Sequence, residues 1–173
     1  MYQKTAQLSP DEKYRYSLQR WWGAYGKDCL FIMLNPSTAD ALEDDATIRR
    51  CVNFAKSWGC CSLYVLNLFA YRATDRGELK RIDDPIGPEN IEYFKVLVPE
   101  ACLHTYTGRQ GTNAGPCVVA WGNDGKYLDQ DQAALGWIEE WGVQPMCLGI
   151  NQNDTPKHPL YVPKDAALVP FGG

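Results

Sequence analysis

Four short apolar segments, each of the length of a β-strand, constrain the fold of this chain more than any other feature. They are Cys29–Leu34, Ser62–Leu66, Cys117–Trp121 and Met146–Ile150. Each is rich in β-branched or large apolar residues, which is typical of strands buried on both faces. The segments between them have apolar residues at helical spacing, so strands and helices alternate along the chain. This alternation predicts a mostly parallel sheet with helices on both faces.

The intervening segments define three predicted helices. These cover 47–56, Pro88–Leu103 and Asp124–Trp141. Asp44 and Asp45 are candidate N-cap residues of the first helix, and Gly142 is a stop for the third. Upstream, the alternation within 14–23 predicts an extra N-terminal edge strand or hairpin. The predicted fold is therefore a three-layer α/β/α sandwich with a central four-stranded, mostly parallel sheet.

Composition narrows the class of protein. The 173 residues with 45% hydrophobic content fit one domain, and we expect a single domain over 1–173. The sequence has no secretory signal and no apolar stretch that could cross a bilayer, so we expect a cytoplasmic protein without a membrane partner. The net charge of −4 allows only a local basic patch for nucleic acid. Seven cysteines without a Cys-x-x-C pair predict reduced core thiols, with no metal site and no cofactor.

Asparagines mark the loops in which a sheet of this kind would bind a ligand. Ligands bind beyond the carboxyl ends of parallel strands, and Asn35, Asn67 and Asn151 open three of the loops found there. An amide side chain both donates and accepts hydrogen bonds, as required to recognise the edge of a nucleobase or a sugar. Asparagine is also a common turn residue, so the composition of these loops is equally compatible with a structural role.

Four motifs in these segments resemble known families. The stretches FIMLNPSTADALEDDATIRRC, LYVLNLFAYRAT and VVAWGNDG, with a C-terminal His-Pro, resemble domain-of-unknown-function family 1643 of bacteria and phages. That resemblance covers nearly the whole chain and implies no established activity. The same segments, in the same order, are similar to the motifs of the uracil-DNA glycosylase superfamily, including its water-binding, pyrimidine-reading and histidine loops. This wider resemblance implies a uracil-DNA glycosylase-like fold.

The glycosylase resemblance also implies a reaction and residues that perform it. An N-glycosylase-like protein would recognise a pyrimidine or a modified pyrimidine in DNA or a nucleotide and hydrolyse its N-glycosidic bond. The base leaves with negative charge, so the site needs a held water and a donor to the base oxygen. The resemblance assigns these catalytic roles to Asn35 and His158. The residues implied to contact the base or ligand are Pro36, Ser37, Thr38, Asn67, Phe69, Tyr71 and Tyr161.

Alternative interpretations of the same residues remain open from the sequence. Arg49 and Arg72 are candidate phosphate contacts, but scattered arginines also form ordinary solvated surfaces. Asn35 also fits a turn and His158 an exposed loop. Asn35 stands where the classical glycosylases have an aspartate, and an amide cannot take a proton at neutral pH. The alternative function is therefore a non-catalytic nucleotide- or nucleobase-binding protein, and a third option is a scaffold with a vestigial pocket.

Overall fold

The computed structural model describes residues 2–37, 43–103 and 112–172, and it has an α/β fold built on one mixed sheet. The strands are β1 (Gln3–Leu8), β2 (Arg15–Trp21), β3 (Gly26–Met33), β4 (Cys60–Asn67), β5 (Thr112–Asn113), β6 (Cys117–Val119), β7 (Pro145–Cys147) and β8 (Val169–Pro170). The helices are α1 (Ala46–Ser57), α2 (Asn90–Leu103) and α3 (Gln130–Glu140). The strand order is β1-β2-β4-β3-β6-β7-β8, with β5 paired to β3.

The four apolar segments of the sequence form the centre of the sheet. β3 pairs in parallel with β4 and with β6, and β6 pairs in parallel with β7. The whole sheet is larger than the predicted four strands, because β1 and β2 extend one edge and β8 extends the other in antiparallel pairing. Sequence patterns missed β1 because it is partly exposed throughout and largely polar, and β8 because two residues carry no periodic signal.

Of the predicted N-terminal edge strand or hairpin over 14–23, the structure has a hairpin, in which β2 lies within that range and β1 precedes it. β1 and β2 pair antiparallel, and β2 in turn pairs antiparallel with β4, with Leu18 opposite Val65. This direction places the start of β2 beside the end of β4. Residues at the start of β2 therefore lie at the carboxyl edge of the parallel strands, where the sequence analysis placed only loops.

Helix α1 begins at the predicted cap and covers one face of the sheet. The carboxylate of Asp45 accepts a hydrogen bond from the backbone N–H of Ile48 at 2.8 Å. Asp44, the other candidate cap, instead pairs with Arg20. The apolar side chains of α1 pack on the side chains of the sheet that point to the same face, among them Cys29, Phe31, Met33, Leu63, Val65 and Val118.

Helices α2 and α3 pack on the opposite face. Their core includes Phe94, Val98, Ala134 and Ile138, against Leu30, Ile32, Leu66 and Val119 of the sheet. The predicted third helix is divided in two: a 3-10 helix covers Gly122–Asp129 and α3 begins at Gln130, because Leu128 and Asp129 adopt left-handed backbone angles with φ of 53° and 54°. Gly142, with φ of 68°, follows its end as predicted. None of the helices described is long and apolar enough to cross a membrane.

The cysteines contribute to these cores as thiols. All seven are buried and none forms a disulfide, which confirms the prediction of free core thiols. Burial raises the pKa of Cys51 well above the ordinary value of a thiol, so we assign this thiol a packing role.

Candidate functional site

A cavity of about 310 Å³ lies at the carboxyl edge of the parallel strands. Met33, Val65 and Ile48 line its apolar part, and all three belong to the core between the sheet and α1. Polar side chains reach it from β2, from the loops that follow β3, β4 and β6, and from the segment after β7. Its volume is at the lower end of the range of about 300–1,000 Å³ typical of small-molecule pockets.

The structure brings together several residues that the sequence analysis selected. Asn35, Asn67 and His158 all line this cavity, and so do Ser37 and Tyr161. They come together because the strands that precede their loops are neighbours or near neighbours in the sheet. Residues separated by more than 100 positions in sequence thus share one concave surface.

Asn35 is held with its amide nitrogen turned away from solvent. Its Nδ2 donates to the carbonyl oxygens of Pro36 at 3.1 Å and Ala73 at 2.9 Å, and the backbone N–H of Ala73 donates to the Pro36 oxygen at 3.0 Å. These bonds join the loops after β3 and β4. The Oδ1 atom of Asn35 accepts no hydrogen bond from the described residues, so it is free to accept one from a water or a ligand.

Asn67 is buried with an unsatisfied donor. The residue is 1% exposed, and its Nδ2 has no hydrogen-bond partner. Its backbone oxygen accepts from Nδ2 of Asn90 at 2.9 Å, which fixes the end of β4. A buried donor without an acceptor costs about 1–3 kcal/mol. A ligand that presents an acceptor to Asn67 would remove this cost.

His158 presents a donor to the cavity. Its Nδ1 accepts from the backbone N–H of Leu160 at 3.3 Å, so in the neutral ring the proton is on Nε2. Burial, aided by the nearby positive charge of Arg76, lowers the pKa of His158, and Asp45 opposes this shift. The imidazole is therefore neutral near pH 7. The ring of Tyr161, which is 73% exposed, lies 5.6 Å from the imidazole between centroids.

The loop that carries His158 is anchored from two sides. Arg50 on α1 donates to the carbonyl oxygens of Pro159 at 3.3 Å and Val162 at 2.5 Å. On the other side, the backbone N–H of Gly122 donates to the oxygen of Pro156 at 3.0 Å. These bonds fix the direction of the imidazole before any ligand binds.

Arg15 is the cavity residue that the sequence analysis missed most clearly. It is 5% exposed, and its Nε has no hydrogen-bond partner. Burial lowers its pKa to about 10, partly offset by Asp45, so the guanidinium remains charged at neutral pH. One arginine in an alternating segment gives no signal of a binding site. Only the antiparallel direction of β2 beside β4 reveals it.

Most of the other charged and polar side chains named at the cavity already form hydrogen bonds or ion pairs within the protein. Asp45 accepts from Ile48 N at 2.8 Å through Oδ1 and from the Ser37 hydroxyl at 3.1 Å through Oδ2. Arg76 pairs with Asp124 at 2.5 Å. Trp121 is 1% exposed, and its indole Nε1, another donor missed from the sequence, has no partner. The unsatisfied atoms named at this cavity, on Arg15, Asn67 and Trp121, are therefore all donors.

Several predicted contact residues lie elsewhere. Phe69 is fully buried in the core beneath α2, with its ring 5.6 Å from that of Tyr127, so it is not available to stack on a ligand in the cavity. Tyr71 packs edge-on against Tyr14 at 5.9 Å. Pro36 is buried and contributes its carbonyl oxygen to Asn35 rather than a wall of the cavity. Tyr161 is thus the one predicted aromatic residue that the described structure places at the cavity.

The two predicted phosphate contacts, Arg49 and Arg72, do not line the cavity. Arg49 is exposed and donates to the backbone oxygen of Asp44. Arg72 donates to the backbone oxygen of Glu12 at 2.9 Å. Thr38 lies outside the described residues. Across residues 2–37, 43–103 and 112–172, no cluster of three His, Cys, Asp or Glu side chains could hold a metal ion.

Comparison with known proteins gives one match. A family model described as "Protein of unknown function (DUF1643)" matches residues 15–160. No curated protein and no solved structure matches the chain. The matched range begins at Arg15 and extends just beyond His158, so it includes every cavity residue named above except Tyr161.

Proposed function

Because this chain belongs to the DUF1643 family, whose description names no activity, we propose its function from the cavity itself. The cavity binds a pyrimidine base of a nucleotide or of DNA, and the protein hydrolyses the N-glycosidic bond with a water held at Asn35. The observation that carries this proposal is the convergence of Asn35, Asn67 and His158, from three separate segments, on one cavity in which the Asn67 amide nitrogen is buried without a partner among the described residues.

The proposal includes the finer fold prediction of a glycosylase-like sandwich. Four parallel strands with α1 on one face and α2 and α3 on the other support it. In such a sheet the carboxyl edge is the expected place for a ligand, and the cavity lies there. Because one fold hosts many functions, the argument for activity has to come from the site residues.

The site residues have the chemistry that base release requires. As the bond between the sugar C1′ and the base nitrogen breaks, its electron pair moves to the base, and the Nε2–H of neutral His158 stabilises the charge on a base oxygen. Asn67 Nδ2 donates to the base edge. The Oδ1 of Asn35 orients a water toward C1′, and the proton lost by that water passes to solvent.

A second candidate function is binding without cleavage. Asp45 accepts hydrogen bonds from Ile48 and Ser37 and caps α1, so we assign it a structural role rather than that of a general base. An amide at position 35 cannot replace it. A cavity with good donors but no free base is suited to recognising or sequestering a nucleotide.

One experiment separates these functions. The purified protein is incubated with uracil-containing oligonucleotides and with pyrimidine nucleotides, free base is measured by chromatography, and binding is measured by calorimetry. We expect base release that Asn35→Ala and His158→Ala abolish and binding that Asn67→Leu weakens at least tenfold, about 1.4 kcal/mol. Asn53→Ala, an exposed position on α1, is the matched control and should change neither.

The outcomes lead to different conclusions. Binding without release supports the second candidate and contradicts the hydrolytic one. Absence of both for the whole panel contradicts the proposal. Circular dichroism of each variant shows whether a loss comes from the site or from unfolding.

A further inference from the structure

Arg15 lines the cavity, and its Nε has no hydrogen-bond acceptor among the described residues. Its backbone N–H donates to the oxygen of Ala70 at 2.8 Å, which fixes it beside the chain that follows β4. Its side chain lines the cavity, is 5% exposed, and has an Nε atom without a partner. Buried charges in proteins are normally paired and hydrogen-bonded, because water no longer solvates them.

The surroundings of Arg15 do not neutralise it. Arg20 and Arg72 are cationic neighbours whose charges lower its pKa further, and Asp45 is the carboxylate that acts in the opposite direction. Among the described residues Asp45 forms no ion pair with Arg15, and it accepts hydrogen bonds from Ile48 and Ser37. A positive charge therefore faces the cavity, although the whole chain carries a net charge of −4.

Arg15 and His158 lie toward opposite sides of the cavity. Arg15 is on β2, at one end of the row β2-β4-β3-β6-β7, and His158 lies beside Gly122, which follows β6. Neighbouring strands are about 4.8 Å apart, so β2 and β6 are separated by about 14 Å. A base between Asn67 and His158 leaves the Arg15 side for a different group of the same ligand.

We propose that Arg15 is an anion-binding group, so that the ligand is a small pyrimidine compound bearing a carboxylate or a terminal phosphate. The planar guanidinium matches both groups with paired hydrogen bonds. An internal phosphodiester does not fit, because its chain continues on both sides and cannot enter a cavity deep enough to bury the guanidinium. This inference rests on the proposed function, since it assumes that a pyrimidine occupies the cavity, and it favours a free small molecule over DNA.

Two matched pairs of compounds test the proposal by calorimetry. Uridine 5′-monophosphate is compared with uridine, and orotate with uracil. We expect the wild-type protein to bind the anionic member of at least one pair about tenfold or more tightly, as for a hydrogen bond to a charged group. The pair that shows the preference identifies phosphate or carboxylate as the source.

Substitution of Arg15 should remove this preference alone. In Arg15→Met both members of the pair bind equally, at about the affinity of the neutral compound. Arg81→Met, in which an exposed arginine outside the cavity is replaced, should keep the full preference. Equal affinities within both pairs for the wild-type protein would overturn the anion subsite and leave the base pocket intact.

A titration of the wild-type protein covers the case in which no pyrimidine binds or the variant does not fold. Inorganic phosphate is added while the Nε–H resonance of Arg15 is followed by NMR. A saturable shift supports the anion subsite even if the pyrimidine proposal has failed. If pyrimidines bind but phosphate and the anionic compounds leave this resonance unchanged, the anion subsite is wrong and the proposed function stands.

Discussion

Strand β2 has a buried arginine near each end, and the two arginines differ in how far the protein satisfies their hydrogen-bond donors. Arg20, 0% exposed, pairs through Nε with Asp44 at 2.7 Å, and its Nη1 donates to the backbone oxygens of Gln19 at 2.8 Å and Thr5 at 3.2 Å. Arg15, 5% exposed, has an Nε without a partner. The comparison indicates that the fold satisfies a buried charge that has a structural role and leaves the one at the cavity available.

The same contrast separates two buried asparagines. Nδ2 of Asn90 donates to the backbone oxygens of Asn67 at 2.9 Å and Leu68 at 3.2 Å, and so holds the end of β4 in place. Nδ2 of Asn67, at the cavity, has no partner. Asn67 and Asn90 therefore differ in whether the protein satisfies their amide donors, although both residues are buried.

The largest expected effect is at the structural end of β2. Arg20→Met should lower the free energy of unfolding by about 3–5 kcal/mol, because it removes a charged hydrogen bond to Asp44, which keeps Tyr2 and Lys4 as partners, and two hydrogen bonds to backbone oxygens. Urea unfolding measures this loss. Arg81→Met, at a largely exposed position, should stay within about 0.5 kcal/mol of wild type. A loss at Arg20 no greater than that of this control would contradict the comparison.

At the cavity end of β2, substitution of the arginine should increase the free energy of unfolding instead of lowering it. Arg15→Met should raise the free energy of unfolding by about 1–3 kcal/mol, because it removes a buried charge whose Nε has no partner among the described residues. The same variant should lose affinity for an anionic ligand. Urea unfolding at pH 7 without ligand gives the sign. A destabilisation similar to that of Arg20→Met would show that Arg15 is structural.

Substitutions of Asn90 and Asn67 should also differ in their effect on stability, by a smaller amount than those of the two arginines. Asn90→Ala should lower the free energy of unfolding by about 1–2 kcal/mol, because two hydrogen bonds to the end of β4 are lost. Asn67→Leu, which keeps the branched shape and the number of side-chain heavy atoms and removes the unsatisfied donor, should cost less than about 1 kcal/mol. Equal losses in thermal unfolding would remove the distinction between the two residues.

The sequence predicted the elements whose signal is local. Apolar segments at strand length located the parallel strands, and Asp45 was recognised as a cap because capping depends on neighbouring residues. Asn35, Asn67 and His158 were selected because loops after parallel strands meet at one edge. The helix after β6 was predicted as continuous, because nothing local indicates that Leu128 and Asp129 adopt left-handed angles.

The rest of the site depends on pairing between distant segments. Arg15 reaches the cavity because β2 runs antiparallel to β4, and sequence patterns do not give strand direction. Phe69 was selected as a loop residue, but the chain after β4 stays buried and turns its ring into the α2 core. The sequence did not indicate Arg15, and it wrongly placed Phe69 at the site, because both positions depend on strand register and burial.

The smallest expected effect is a pH dependence at His158. Burial and Arg76 lower its pKa below the ordinary value of 6.5, while Asp45 opposes the shift. Below about pH 6.5 the unfolded chain binds this proton more readily than the folded one, so His158 reduces stability as pH falls. His158→Gln should therefore lose less thermal stability between pH 7.5 and pH 5 than the wild type. An equal or greater loss in the variant would contradict the lowered pKa.

A crystal structure of the protein with the tightest-binding compound of the uridine and orotate pairs tests the central claim most directly. We expect the pyrimidine ring in the cavity, with ring oxygens within about 3.2 Å of Asn67 Nδ2 and His158 Nε2. Its carboxylate or phosphate should contact the Arg15 guanidinium. A ligand bound outside this cavity, or a cavity that stays free of the compound at saturating concentration, would contradict the account.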